Sequence, residues 1–172
     1  MSSSDLETRI SLEVFHRHVV FTHLKDEAAS VLAELERRAD HFGEPLSRLL
    51  ADCVKRSYPS ENHFQEDVWH VREVPLDRCY FAHTDFRGHP VPKNERFVDF
   101  MRTQQREIDS GSFPCSLEIC APWSKSQMPE PLVREREPGQ FYVLDGQLRV
   151  IRHWYHKIPN VRVFIYRGQL GV

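Results

Sequence analysis

The run Asp145-Gly146-Gln147-Leu148-Arg149 has the residue types and order of a phosphate-binding corner. It follows the extended apolar run 141–144 and precedes a run with helical spacing at 150–155. A strand that turns through Asp-Gly into a helix leaves backbone N–H groups unpaired at the helix start, where the helix dipole also attracts anions. An arginine in the first turn can clamp a phosphate. The alternative is a plain strand–turn–helix corner with a surface arginine.

Each residue of this corner has a candidate role beside an ordinary one. Gly146 permits close approach of a phosphate to the backbone, or is only a turn glycine. Asp145 can hold Mg²⁺ or cap the following helix. Gln147 can orient a water molecule or contact a phosphate, or simply be exposed. Because phosphoryl transfer depends mainly on positioning and charge neutralisation, these residues together with Arg149 predict a phosphate-handling site.

The predicted helix after the corner carries further basic residues. Helical spacing places Arg149, Arg152, His153 and His156 broadly on one side, opposite an apolar side. His153 can serve as a general base near neutral pH, and Arg152 and Lys157 can supply positive charge. Residues 145–172 contain five basic side chains and one acidic side chain, which favours a polyanionic partner. A solvated helix face with exposed or capping histidines is the alternative.

Composition limits the class of protein. The 172 residues carry a net charge of −2, which argues against strong non-specific binding of nucleic acid by the whole surface. No apolar run approaches the length of about 18 residues that a membrane span needs, so no integral membrane segment is predicted. The polar start lacks the apolar core of a secretory signal, which predicts a cytoplasmic protein. The four cysteines contain no CxxC pair, which favours buried free thiols over a zinc site.

Hydrophobic spacing predicts two parts of the chain, 1–62 and 63–172. The first part reads as a strand pair over 9–24 and a helical hairpin over 27–57. The second part mixes strands and helices. Its predicted elements, in order, are an extended segment at 68–81 divided by Pro75, a loop at 83–93, a helix from Asn94 to Gly111, a strand at 113–119, a polar connection at 123–139, the strand before Asp145, a helix to Lys157 and a strand at 161–166.

This succession resembles the ParB/sulfiredoxin superfamily over about residues 68–168. The specific part is the run 142–149, which looks like that superfamily's strand–DG–R–helix signature. Arg87 follows the first strand in a loop, and Pro114 enters the next predicted strand. The helical N-terminal extension and the His/Arg-rich ending resemble the plasmid fertility-inhibition factors of that superfamily, the oncogenic suppression proteins among them.

The resemblance implies an α+β fold: a ParB/sulfiredoxin-like mixed sheet with packed helices and an N-terminal helical extension. It implies an ATP hydrolase and deoxyribonuclease, assisted by Mg²⁺, that blocks conjugative or T-DNA transfer through a type IV secretion system. The implied partners are a nucleotide, DNA and a secretion or coupling protein that would hold the chain at the inner membrane. The implied catalytic residues are Asp145, Arg149 and His153, and the implied nucleotide- or phosphate-binding residues are Arg87, Gly146, Gln147, Arg149, Arg152 and Lys157.

The chain departs from the superfamily's known motifs at the corner. Gln147 stands where sulfiredoxins have their catalytic cysteine, so sulfinic acid reduction is not predicted. The run 146–149 lacks the glutamate and first arginine of the ParB Gly-Glu-Arg-Arg motif and the two histidines of the nuclease version. Two alternatives therefore stay open. One is a non-catalytic inhibitor that binds a transfer or coupling protein through the hairpin at 27–57, and the other is a nucleotide-dependent DNA-binding regulator.

Overall fold

A computed structural model of the chain describes residues 6–85, 87–123 and 130–169. The described residues form two compact units. The larger contains 6–8 and 70–167, and the smaller contains 9–69 with 168 and 169. The chain thus passes into the larger unit between Trp69 and His70, seven residues after the boundary predicted at 62/63.

The smaller unit is built from three helices: α1 (Leu12–Leu24), α2 (Ala28–Phe42) and α3 (Leu46–Ser57). The predicted hairpin thus corresponds to α2, which ends at Gly43 in the left-handed conformation, and to α3, which begins after Pro45. The strand pair predicted over 9–24 is wrong, because this segment forms α1.

The buried residues of α1 follow helical spacing rather than the alternating spacing of a strand. Ser11 caps the helix by accepting a hydrogen bond from the backbone N–H of Val14 at 3.2 Å. Phe15 and Val19, four residues apart, are buried, whereas Val14 is 49% exposed although the alternating pattern required it to be inside. Over a segment this short, the apolar residues fit both helical and strand spacing. Tertiary packing, rather than the sequence pattern, therefore determines that the helix forms.

An aromatic cluster holds the smaller unit together around a buried histidine. The ring of Phe15 stacks on Trp69 with centroids 4.1 Å apart and meets Phe64 edge-on at 5.5 Å. His16 is 1% exposed, and its Nε2–H donates to the carbonyl oxygen of Phe64 at 2.7 Å. Burial lowers the pKa of His16, and the hydrogen bond to Phe64 only partly opposes that effect.

This buried histidine predicts acid sensitivity. Because the pKa of His16 is lower in the folded state, stability is full above the ordinary histidine value and falls as pH drops below it. His16→Gln keeps a hydrogen-bond donor but does not titrate. Between pH 7.5 and 5, we therefore expect the free energy of unfolding to fall by about 1 kcal/mol less in His16→Gln than in the wild type. Urea unfolding at the two pH values measures this, with His41→Gln on the exposed end of α2 as control. An unchanged pH dependence in His16→Gln would refute the prediction.

The larger unit contains a mixed six-stranded sheet. Its strands run in the order β1-β2-β6-β4-β5-β3. The β3/β5 and β4/β6 pairs are parallel, and the β4/β5 pair is antiparallel. The protein is therefore a mixed α and β protein, compatible with the predicted α+β class. The strands are β1 (Thr8–Arg9), β2 (Trp69–Pro75), β3 (Cys79–Phe81), β4 (Leu132–Glu137), β5 (Gln140–Asp145) and β6 (Asn160–Tyr166).

Three helices complete this unit: α4 (Phe97–Asp109), α5 (Ser116–Cys120) and α6 (Gln147–Tyr155). The strand predicted at 113–119 is wrong because the chain turns after Phe113 into α5, through Cys115 in the left-handed conformation. The polar connection predicted at 123–139 is also wrong in part, since it contains β4; its residues 124–129 lie outside the described part. The core shared by sheet and helices includes Val74, Phe81, Phe97, Met101, Ile108, Ile119, Val133, Phe141, Val143, Val150, Ile151, Val163 and Ile165.

The sheet places two connections at one edge. In the parallel pair β3/β5, Phe81 lies opposite Val143, so the two strands end close together. The loop after β3 and the start of α6 after β5 therefore lie at the same end of the sheet. The carboxyl ends of parallel strands are where open α/β sheets commonly bind ligands.

Candidate functional site

The corner between β5 and α6 turns at Gly146, which has a φ of 87°. A Cβ at this position would lie 2.9 Å from the Cα of Pro131, the residue before β4. Glycine is therefore required both by its left-handed backbone and by the close approach of Pro131. In this structure the close neighbour of Gly146 is protein backbone.

Gly146→Ala is expected to lower the free energy of unfolding by about 2–3 kcal/mol. The left-handed conformation costs an alanine about 1 kcal/mol, and the overlap with Pro131 adds about 1–2 kcal/mol. Gly111→Ala is the matched control, because Gly111 has a φ of 76° but open space around its missing Cβ. Urea unfolding measures both. Equal losses in the two variants would show that Pro131 moves aside freely.

The start of α6 has no side-chain cap among the residues that the structure describes. The N–H groups of Arg149 and Val150 reach the carbonyl oxygen of Gly146, at 3.1 and 3.4 Å. The N–H groups of Gln147 and Leu148, which precede them, have no acceptor within the helix. Asp145 is exposed at the end of β5 and does not cap the helix. Of the two roles that the sequence allows Asp145, capping is therefore wrong.

Arg149 lies beside the corner with a donor that has no acceptor. Its Nη1 is buried and forms no hydrogen bond with any residue in the described part of the chain, and a Cβ on Gly146 would lie 3.1 Å from it. Burial lowers the pKa of Arg149, and the negative charges of Asp145 and Glu130 only partly offset that effect. A buried guanidinium nitrogen without an acceptor lowers the stability of the fold, so its presence at this position requires an explanation.

Gln147 connects the two chain segments at this edge. Its Nε2 donates to the carbonyl oxygen of Thr84 at 2.9 Å, which ties α6 to the loop after β3. Its Oε1 is buried without a hydrogen bond. The corner therefore contains one unpartnered acceptor, on Gln147, and one unpartnered donor, on Arg149.

The loop after β3 is organised around the buried carboxylate of Asp85. Its Oδ1 accepts the backbone N–H groups of Arg87 and His89 at 2.9 and 3.0 Å. Its Oδ2 accepts a hydrogen bond from Nε of Arg87 at 2.8 Å and forms an ion pair with Nη2 of the same guanidinium at 2.7 Å. The Arg87 guanidinium also lies 5.7 Å from the ring centroid of Phe113. Arg87, predicted to face a nucleotide, thus already has an internal partner for its charge.

Two basic residues, one in α6 and one directly after it, bind α5 and the segment that follows α5. Arg152 Nη2 donates to the carbonyl oxygens of Ala121 and Pro122 at 3.3 and 3.0 Å. His156 Nε2 donates to that of Ile119 at 3.2 Å. Lys157 is exposed just after the helix, with a φ of 56°. The basic side predicted for this helix is therefore used partly for packing.

His153 has one nitrogen fixed and the other available. Its Nδ1–H donates to the carbonyl oxygen of Arg149 at 2.7 Å, and its ring meets Trp123 edge-on with centroids 4.6 Å apart. Burial lowers the pKa of His153, which keeps the ring neutral near pH 7 with its lone pair on Nε2.

Sequence reasoning missed the two residues that precede β4. The negative charge of Glu130 acts to raise the pKa of Arg149, and Glu130 also pairs with Arg162 at 3.5 Å. Pro131 packs on Gly146. The apolar pair Leu132-Val133 after the proline was the signal for a strand here, and both residues are buried in the sheet. The charged run after this pair favoured the prediction of a polar connection.

Within the described residues, no group of three or more His, Cys, Asp or Glu side chains is arranged to hold a metal ion. The cysteines are free thiols, as predicted, but Cys115 and Cys120 are exposed rather than buried. Burial, followed by the charge of Asp77, raises the pKa of Cys79 to about 12. None of the helices in the described part of the chain combines the length and apolar character needed to cross a membrane.

The candidate site at the corner thus consists of Asp145, Gly146, Gln147 and Arg149, with Glu130 beside them. Comparison of the chain with protein-family models, with curated proteins and with solved structures gave no match.

Proposed function

We propose that the β5–α6 corner binds the phosphate of a nucleotide and that the protein hydrolyses phosphate esters there. The proposal rests on Nη1 of Arg149, a buried donor without an acceptor beside an uncapped helix start. An anionic oxygen at this position would satisfy that nitrogen together with the N–H groups of Gln147 and Leu148, which have no acceptor within the helix.

Each residue of the corner has a distinct task in this proposal. Arg149 neutralises the phosphate, and the helix amides orient it. Asp145, which is exposed and offers hard carboxylate oxygens, would hold Mg²⁺ together with the phosphates of the substrate, since Mg²⁺ is commonly bound by one or two carboxylates plus phosphate. The ion would supply further charge neutralisation.

The chain also offers groups for handling the attacking water. The unpartnered Oε1 of Gln147 can accept a hydrogen bond from it. As the water oxygen bonds to phosphorus and the ester P–O bond breaks, the proton would pass to Nε2 of His153, whose Nδ1 is fixed by Arg149. Arg87 and Arg152 act indirectly in this proposal, because both already bind other parts of the chain.

At the level of the cell, we propose an ATPase and DNase of the ParB/sulfiredoxin type that acts as a plasmid fertility-inhibition factor. It would block conjugative or T-DNA transfer through a type IV secretion system, in the cytoplasm and at a secretion or coupling protein. The resemblance of residues 142–149 to the superfamily signature supports this assignment.

A direct assay separates this proposal from its rivals. Purified protein is incubated with ATP, Mg²⁺ and linear DNA, and phosphate release and DNA length are measured. The proposal predicts phosphate release and DNA degradation. Intact ATP and DNA with tight binding of a secretion component would indicate the non-catalytic inhibitor, and salt-sensitive DNA binding without degradation would indicate the regulator.

A further inference from the structure

One face of the sheet carries tyrosines and arginines in adjacent positions. Tyr80 on β3 lies opposite Tyr142 on β5, and Tyr142 lies opposite Arg134 on β4. Arg134 in turn lies opposite Tyr166 on β6. These four residues form a row across four strands, and with Arg136 we call them the tyrosine–arginine face.

The rings of this face are stacked and fixed. Tyr80 and Tyr142 have centroids 5.3 Å apart at an interplanar angle of 24°. The Cζ of Arg136 lies 4.4 Å from the centroid of Tyr142, and the Tyr142 hydroxyl donates to Oδ1 of Asn94 at 2.5 Å. Tyr142 is 3% exposed, whereas Arg136 is exposed and Tyr80 partly so. The surface therefore presents the outer side of a guanidinium that already lies on an aromatic ring.

Among the residues that the structure describes, the positive charge of Arg134 has no carboxylate partner. Nε of Arg134 is buried without a hydrogen bond. Burial and the charge of neighbouring Arg136 lower the pKa of Arg134, and the interaction with Tyr166 only partly opposes them. By contrast, Glu135, the residue between the two arginines, pairs with Arg167. Strand alternation places Glu135 on the opposite face from Arg134. Arg136 lies where the β4/β5 register shifts between Glu135 and Glu137, and its guanidinium lies over Tyr142 on the tyrosine–arginine face.

We propose that the tyrosine–arginine face binds single-stranded nucleic acid. Bases would stack on the Arg136 guanidinium and on Tyr80, while Arg134 and Arg136 neutralise phosphates. Aromatic and guanidinium planes on a sheet are the means by which proteins hold unpaired bases, which a duplex keeps inside its own stack. The inference deepens the proposed function, because it places the DNA strand on the chain, but its test needs no hydrolysis.

Binding is measured by fluorescence anisotropy of a labelled thymidine 12-mer, in EDTA and without nucleotide. We expect Arg136→Ala and Tyr80→Ala each to weaken binding about tenfold, and Tyr80→Phe to restore it. The slope of log affinity against log salt should shrink by about 0.7 in Arg136→Ala. Arg102→Ala is the matched control, since it removes the same charge from an exposed site on α4 and should change affinity less than twofold.

Three results would overturn the inference: no binding of the 12-mer, an equal loss in Arg102→Ala, or a poly-glutamate peptide that binds as tightly with the same dependence on Arg136. Circular dichroism verifies that each variant folds. If a variant does not, ultraviolet cross-linking of the wild-type protein must attach the oligonucleotide to the peptides containing Tyr80 or residues 134–142. If the protein binds the oligonucleotide but releases no phosphate, only the proposed function is refuted. If it releases phosphate but its binding of the oligonucleotide does not depend on Arg136, only this inference is refuted.

Discussion

Arg149→Met is expected to abolish phosphate ester hydrolysis while leaving the protein at least as stable as the wild type. The guanidinium is charged in a site where burial lowers its pKa, and its Nη1 has no acceptor. Methionine fills a similar volume without an unpaired donor, so we expect the free energy of unfolding to rise by about 1 kcal/mol. Loss of a preorganised donor for the phosphate should reduce hydrolysis at least a hundredfold.

The opposite changes in stability and activity distinguish a ligand-binding arginine from a structural one. An arginine that holds the fold would destabilise the protein when replaced, and activity would fall only with the folded fraction. Urea unfolding and phosphate release from ATP, measured on the same preparations, give both values. Arg102→Met on α4 is the control, because its side chain is 72% exposed and it should affect neither value. A large loss of stability in Arg149→Met would contradict the proposal.

Asp85→Ala is expected to lower the free energy of unfolding by about 3–5 kcal/mol, the cost of breaking a buried ion pair. The Asp85 side chain is 1% exposed, accepts three hydrogen bonds from Arg87 and His89, and forms an ion pair with the guanidinium of Arg87. Its removal would leave that guanidinium and the N–H groups of Arg87 and His89 without their acceptor. Because Thr84 in the same loop accepts from Gln147, the change should also loosen the start of α6.

Two comparisons isolate the charge and the burial. Asp85→Asn retains an acceptor for the N–H groups but not the ion pair, so it should lose less stability than alanine. Asp99→Ala removes an exposed partner of Arg96 and should cost under about 1 kcal/mol. Urea unfolding measures each variant, and hydrogen exchange of the Gly88 amide, which donates to Asp85, reports on the loop. A loss in Asp85→Ala no greater than in Asp99→Ala would contradict the prediction.

The pH dependence of the Asp85 ion pair follows from its pKa. Although burial raises the pKa of this carboxyl, the hydrogen bonds from Arg87 and His89 outweigh that effect and lower it. Its contribution to stability is therefore full above the ordinary aspartate value and is lost as pH falls through the lowered value. It adds to the acid sensitivity of His16, which begins at higher pH.

Local patterns in the sequence were sufficient where a segment's neighbours along the chain decide its conformation. The corner was predicted because Gly146 stands between an apolar strand and a helix of amphipathic spacing, and β5 and α6 lie where the pattern indicated. Gly43 likewise marks the end of α2, and the strand predicted at 161–166 corresponds to β6.

Only the tertiary structure decided which partner each charged side chain takes. Arg87 pairs with Asp85, two residues away, but lies over Phe113, a contact that no local pattern encodes. The charged run 134–137 was predicted to lie in a polar connection but forms part of β4. There Arg136 lies over Tyr142 and Glu135 binds Arg167, contacts that only tertiary packing brings about. Arg149 has the opposite property: its buried Nη1 takes no partner from the described chain, and an unsatisfied donor is visible only once everything around it has packed.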